Sequence, residues 1–177
     1  QGSGQTQGQS KASYTEYKFY AHGAGKQGST MTYSQVKDYI VQYVQKTFKN
    51  WDDIEVSLRK EEMLDLSAEE PARVVSQEED PEERKIEQDG FDIKYKVELD
   101  KYMERKKILK TNLSKAYALI FQNHCHKTIQ NRIEEKSNFD TEIRNNPIEL
   151  LKTIREVMHV PTRAKYPFVA LTEALVR

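Results

Sequence analysis

The sequence predicts an all-α protein, a helical bundle of about five to seven helices with one long central helix and a flexible N-terminal arm. Apolar residues recur at i, i+3 and i+4 in several separate windows. One of those windows sustains a seven-residue repeat over several turns. No convincing β-sheet pattern and no internal repeat interrupts the helical reading.

The first helix starts at Thr32. Thr32 and Gln35 have the spacing of a capping box, in which each side chain satisfies a free backbone N–H. Val36, Tyr39, Ile40, Tyr43, Val44 and Phe48 then form one apolar stripe. Asn50 is the expected stop. Trp51, Ile54 and Leu58 continue at helical spacing and predict a short second helix, although Ile54, Val56 and Leu58 also alternate as a strand would.

Residues 65–90 hold ten acids (Asp65, Glu69, Glu70, Glu78, Glu79, Asp80, Glu82, Glu83, Glu87 and Asp89) against three bases. Pro71 and Pro81 are expected to interrupt helices there. The segment reads as a solvated acidic linker, or as an acidic strip that pairs with a basic surface. A long helix is expected from about Phe91 to about Gln122. Tyr95, Tyr102, Leu109 and Ala116 are seven apart, and Leu99, Leu113 and Ile120 form a second series broken by Lys106. At ~1.5 Å per residue such a helix spans roughly 48 Å, more than a small core covers unaided. Lys101, Arg105, Lys106, Lys107 and Lys110 form a basic collar partly offset by Glu98 and Glu104.

Cys125, Ile129 and Ile133 predict a helix near 124–136, and Phe139 with Ile143 a turn or short helix. Asn146 followed by Pro147 is a helix start, and Ile148, Leu151, Ile154, Val157 and Met158 carry that helix to about His159. Pro161 ends it, and Tyr166–Pro167 begins a last helix. The domain reading is a 1–30 arm, a 31–64 helical segment, a 65–90 acidic linker and a 91–177 helical domain.

The arm holds six of the seven glycines among Gln, Ser and Thr, and buries too little apolar surface to offset its ordering entropy. Tyr14, Tyr17, Phe19 and Tyr20 interrupt it. They form either a partly ordered strand edge or an arm that docks on a neighbouring subunit. The chain begins at Gln1 with no charged segment before an apolar core, so no secretory signal is expected and the sequence is a processed product or part of a longer one.

Composition excludes several classes. No stretch approaches the ~20 apolar residues of a membrane span. One cysteine rules out an internal disulfide framework and a thiolate zinc cluster. Basic and acidic residues balance at 28 each, which argues against a generic polyanion binder.

His124, Cys125 and His126 are adjacent, and neighbours on a helix point about 100° apart, so they cannot converge on one ion. His22 or His159 as a fourth ligand has no supporting spacing. The same geometry rejects a Cys–His nucleophile. Gly23-Ala24-Gly25-Lys26 lacks the strand and spacing of a phosphate loop. Carboxylates come in runs rather than as isolated pairs in apolar settings. No catalytic, cofactor or metal site is therefore expected, no small-molecule substrate, and not an enzyme. For nucleic acid, Lys152, Arg155, Arg163 and Lys165, with His159 nearby and Lys127 and Arg132 upstream, are candidate phosphate contacts. No aromatic interleaving or reading motif accompanies them.

The stretch Asn112-Leu-Ser-Lys-Ala-Tyr-Ala-Leu-Ile-Phe-Gln-Asn-His-Cys125 resembles a recurring element of Gag-like proteins of copia-type LTR retrotransposons, especially those of microalgae. So do Ile129-Gln-Asn-Arg-Ile133, Phe139-Asp140 and Asn146-Pro-Ile-Glu-Leu-Leu-Lys-Thr-Ile-Arg155. The Tyr33-to-Leu58 region and the Arg163-to-Arg177 tail are similar more loosely. The sequence departs from the family pattern in placing Asn123 and His124 between Gln122 and Cys125, and in lacking a C-terminal Cys/His knuckle. The resemblance implies a capsid-like (Gag) structural protein that self-associates through helix surfaces and forms virus-like particles around RNA. It further implies intracellular, cytoplasmic particles and a homo-oligomer, with RNA as a further partner and no membrane. The self-association candidates are Tyr14, Tyr17, Phe19 and Tyr20 on the arm and Tyr95, Tyr102 and Leu109 on the long helix. Two other classes compete, a nucleic-acid-binding module and a helical adaptor without catalysis.

Overall fold

The computed structural model describes residues 17–21 and 32–159. Among them are five α-helices: α1 (Tyr33–Thr47), α2 (Asp52–Lys60), α3 (Pro81–Ala118), α4 (Lys127–Glu134) and α5 (Pro147–His159). A 3₁₀ turn covers Ser67–Glu69, and π-helical turns cover Leu119–His124 and Phe139–Ile143. The all-α expectation holds among these residues. Their one β feature is an isolated parallel bridge between Phe19 and Cys125.

α1 begins where the capping box places it. The Gln35 N–H donates to Thr32 Oγ1 at 3.3 Å, and the Thr32 N–H donates to Gln35 Oε1 at 2.9 Å. Val36, Ile40, Val41 and Val44 are its buried stripe. Asn50 turns the chain with a positive φ of 51°. The Asn112 side chain of α3 secures that turn, donating to the carbonyls of Lys49 (3.0 Å) and Asn50 (3.1 Å). α2 buries Ile54, Ser57 and Leu58 and ends at Glu61, whose backbone is left-handed (φ 54°). α5 is the hub of the body. It touches α2, α3, α4 and the second π-helical turn, and contributes Ile148, Leu150, Leu151, Ile154 and Val157 to the interior. α1 and α2 therefore share one core with the later helices rather than forming a separate segment.

α3 departs from expectation at its start. It begins at Pro81, ten residues before Phe91, and is 38 residues long, about 57 Å at 1.5 Å per residue. Pro81 does not interrupt this helix but opens it. Its ring presets the helical φ, and it lacks an N–H that would have no partner in the first turn anyway. Asp80 is the cap, its Oδ1 accepting from the N–H groups of Glu82 (2.9 Å) and Glu83 (3.0 Å). Glu82 and Glu83 sit in the first turn, where the helix dipole favours negative charge. The residues read as an acidic linker thus include the first ten of α3.

The remainder of that linker is tied down as well. The strap of residues 61–80 runs back along α3. Arg73 forms a two-pronged pair with Asp92 (2.7 and 3.0 Å), the Ser76 N–H donates to Gln88 Oε1 (3.0 Å), and Gln88 Nε2 donates to the Val74 carbonyl (3.2 Å). Nearer the body, Leu64 and Leu66 lie in a cleft with Tyr102, Leu109 and Leu113. Arg105 of the basic collar pairs with Asp53 (2.7 and 2.8 Å) and with Glu69 (2.5 Å). Acidic strip and collar therefore meet within one chain at Glu69 and Arg105.

Residues 124–126, expected to open a helix, are extended instead at Cys125 and His126. Phe19 pairs with them. Its N–H donates to the His124 carbonyl (2.7 Å), and the His126 N–H donates to the Phe19 carbonyl (3.0 Å). α4 starts at Lys127, capped by His126, whose Nδ1 accepts from the Thr128 N–H (3.3 Å). The expected last helix near Tyr166, and Arg163, Lys165 and Tyr14, lie outside the described residues.

Candidate interaction surface

Most of the residues expected to bind neighbours are used by the fold itself. Phe19 is wholly buried, and its ring lies 5.4 Å from that of Tyr33. Tyr17 stacks on Tyr39 at 3.8 Å, and Tyr20 packs on His126 at 4.9 Å. This part of the arm docks on its own domain. Tyr102 and Leu109 are buried against the body, and Tyr95 is half-buried. Of the seven-spaced series, Tyr102 and Leu109 therefore pack within the chain's own core.

The phosphate-contact candidates are similarly engaged. Lys152 Nζ pairs with Glu149 at 2.8 Å, and Arg132 donates to the Val157 carbonyl at 3.1 Å. Arg155 reaches Glu61, ninety-four residues back in the chain. Glu61 is the centre of the most elaborate polar cluster among the described residues. Its side chain is 7% exposed and also accepts from the Tyr33 hydroxyl (2.8 Å) and Lys37 Nζ (2.9 Å). Burial alone would raise the Glu61 pKa, but the donors Lys37 and Tyr33 and the nearby Arg155 charge outweigh it and hold the carboxyl below its ordinary value. Burial and the adjacent carboxylate push the Tyr33 hydroxyl far above its ordinary range. With every partner donating to one carboxylate, the cluster is a clamp that joins α1, the end of α2 and α5.

His124 is fully buried. Its Nδ1 lies 2.6 Å from the Tyr17 carbonyl, which can only accept, so Nδ1 carries the proton. Nε2 has no hydrogen-bond partner among the described residues. Burial lowers the His124 pKa below 6.5, so the ring is neutral at pH 7. Cys125 next to it is 3% exposed, and burial pushes its thiol far above the usual range. Among the described residues no group of three or more His, Cys, Asp or Glu side chains is placed to hold a metal ion.

The His124 arrangement carries a pH signature. Above the unfolded value near 6.5 the ring is neutral in both states. As pH falls below it, the unfolded chain takes the proton first, so stability declines until the lower folded value is reached, at up to ~1.4 kcal/mol per pH unit. Urea unfolding at pH 7 and pH 5 measures this decline, and His124→Gln is expected to flatten it.

What the fold leaves uncovered lies elsewhere. From residue 81 to 101 no position of α3 is buried, so this half of the helix projects from the body with the strap on one side. Ile86 (73% exposed), Ile93 (67%) and Val97 (48%) line it, and Val74 and Val75 are exposed on the strap. Sequence reading missed these residues. With the helix taken to begin at Phe91, Ile86 stood outside it, and the seven-residue step to Ile93 had no helix to lie on. No helix among the described residues is long and apolar enough to cross a membrane.

No family model, curated protein or solved structure matches this chain.

The candidate interaction surface is defined by the exposed half of α3. It is a helical projection about 30 Å long at ~1.5 Å per residue, charged along its edges and apolar along one outward line. Monomeric proteins scatter single exposed apolar residues widely, whereas an aligned set on a projecting element marks a contact.

Proposed function

We propose that this protein is a self-assembling, capsid-like structural protein of the Gag type, without catalysis, whose copies associate through the projecting half of α3. The observation that carries this reading is the aligned exposure of Ile86, Ile93 and Val97 on a helix that extends beyond its own core. The resemblance of Asn112–Cys125 and Asn146–Arg155 to Gag-like proteins of copia-type elements supplies the class. In that reading the body of α1, α2, α4 and α5 is a rigid protomer, and weak helix contacts repeated over many copies build a particle in the cytoplasm. RNA would be enclosed by the assembly rather than gripped by the Lys152–Arg155 region, whose cations already pair with Glu149 and Glu61.

Light scattering after size exclusion, over a range of protein concentration and salt, tests the proposal. The expected result is a mass that rises above the 20.7 kDa of one chain, with particles visible by negative-stain electron microscopy at the highest concentrations. A mass fixed at one chain under all conditions overturns it. The same exposed line also favours a second reading, a helical adaptor for one partner, and that reading expects the fixed mass.

A further inference from the structure

The exposed line on α3 has the layout of one half of a helix pair. Ile86, Gly90, Ile93 and Val97 follow the alternating four- and three-residue steps of a coiled-coil seam. The strap lies on the opposite face, against Gln88 and Asp92, so no element among the described residues covers the seam. Glycine inside a helix costs about 1 kcal/mol relative to alanine, and nothing among the described residues requires it at 90, since a Cβ there would meet none of their atoms within 4 Å. A seam partner with a bulky residue opposite Gly90 would give the glycine a role.

The charges beside the seam specify that partner. Glu87 and Asp89 flank it near the tip, and Lys94 and Lys96 flank it near the body, all four exposed. We infer that the occupant is a second copy of this chain, its α3 lying antiparallel across the first, with Ile86 against the partner's Val97 and Gly90 against the partner's Ile93. In that register the edges pair Glu87 with the partner's Lys94 and Asp89 with the partner's Lys96. The two-fold axis repeats both pairs, so four opposite-charge contacts form. A parallel pair gains only Asp89 against the partner's Lys94, and sets Glu82 against the partner's Glu87 and Lys96 against the partner's Lys101. Two of those three are repulsive. Existing contacts yield readily. Lys94 reaches Glu98 only at 3.9 Å on an exposed face, and Glu87 keeps its bond to Ser76 on the strap side.

This pairing rests on the self-association half of the proposed function and deepens it by naming the face and the register. Three large apolar residues per copy make a weak contact by the standards of stable dimers, which suits an interface used repeatedly.

Sedimentation of the full chain tests it. Ile93→Glu places a charge in the seam without touching the core and is expected to raise the dimer dissociation constant by about a hundredfold. Glu87→Lys with Asp89→Lys is expected to weaken pairing likewise. Adding Lys94→Glu and Lys96→Glu restores it, because the swapped edges complement one another again. Orientation is read by cysteines, with the native Cys125 buried and silent. A mixture of Ile86→Cys and Val97→Cys proteins forms a disulfide-linked pair on mild oxidation, whereas Ile86→Cys alone does not. Cross-linking of Ile86→Cys alone, or no rescue by the fourfold swap, overturns the register. Association that Ile93→Glu leaves unchanged overturns this face while self-assembly stands. Discrete dimers that never grow further support the pairing and count against particles. A mass fixed at one chain for wild type and variants alike, as would follow if the chain's own residues 160–177 covered the seam, overturns both.

Discussion

Phe19→Ala is expected to cost about 3–5 kcal/mol, the range for deleting a fully buried aromatic side chain. The phenyl ring is wholly enclosed, against Tyr33 and beside the extended residues around Cys125. Two backbone hydrogen bonds, the stack of Tyr17 on Tyr39, the packing of Tyr20 on His126, the His124 contact and the buried Ala21 also hold residues 17–21. The loss therefore has two possible outlets. If the segment stays docked, the whole cost falls on global unfolding, with a melting temperature lowered by roughly 10 °C or more. If the segment lets go first, the body survives and the measured loss is capped at the docking free energy. The single thiol separates the two outcomes. Cys125 is covered in the wild type and should resist a thiol reagent, whereas local release exposes it under conditions where the rest of the protein remains folded. Labelling rate and thermal unfolding, measured on the same variant, decide between them. A variant that keeps both wild-type values contradicts the burial of Phe19.

Glu61→Ala is the second large effect. Removing one member of a fully buried ion pair costs about 3–5 kcal/mol, because the survivor is left charged in an apolar setting. Here the survivors are better placed, with Lys37 at 19% side-chain exposure and Arg155 at 51%. Water can reach both, and a loss of about 2 kcal/mol is expected instead. Part of it belongs to the Tyr33 hydroxyl, which keeps only its 3.2 Å bond to the Leu151 carbonyl. The carboxylate also sets a pH dependence. Because its folded pKa lies below the ordinary 4.5, its contribution is complete above that value and disappears as pH falls through the folded pKa. Urea titrations from pH 6 down to pH 3 should show a shallower acid loss in Glu61→Ala than in the wild type.

Local signals in the sequence were read correctly where the structure obeys them locally. The Thr32–Gln35 capping box and the Asn146–Pro147 start each open the helix they predict, because a cap depends on three or four neighbouring residues. Pro81 shows the limit of such reading. A proline is equally compatible with a helix stop and with a first turn, and the choice was made by Asp80, whose carboxylate caps the helix beginning there. The His124–His126 stretch was misread for a different reason. Its extended form comes from pairing with Phe19, more than a hundred residues away, and no local periodicity encodes that partner. Distance hid Arg155 in the same way, since the Glu61 that engages it lies in the left-handed turn after α2. The proposed contact face was hidden by the same error as the start of α3. Tyr95, Tyr102 and Leu109 have seam spacing, yet the body and strap cover them, and the open side of the helix starts with Ile86, before the predicted boundary.

The bridge between Phe19 and Cys125 also orders events during synthesis. A ribosome joins about a hundred residues between making residues 17–21 and making those that receive them. Until then Phe19 has no backbone to pair with. Tyr33 waits longer still for Leu151, 118 residues on, and Glu61 waits ninety-four residues for Arg155. The nascent polypeptide thus carries the Phe19 anchor unused while those residues are added, and the native interior seals only when nearly all of the α5 segment has left the exit tunnel.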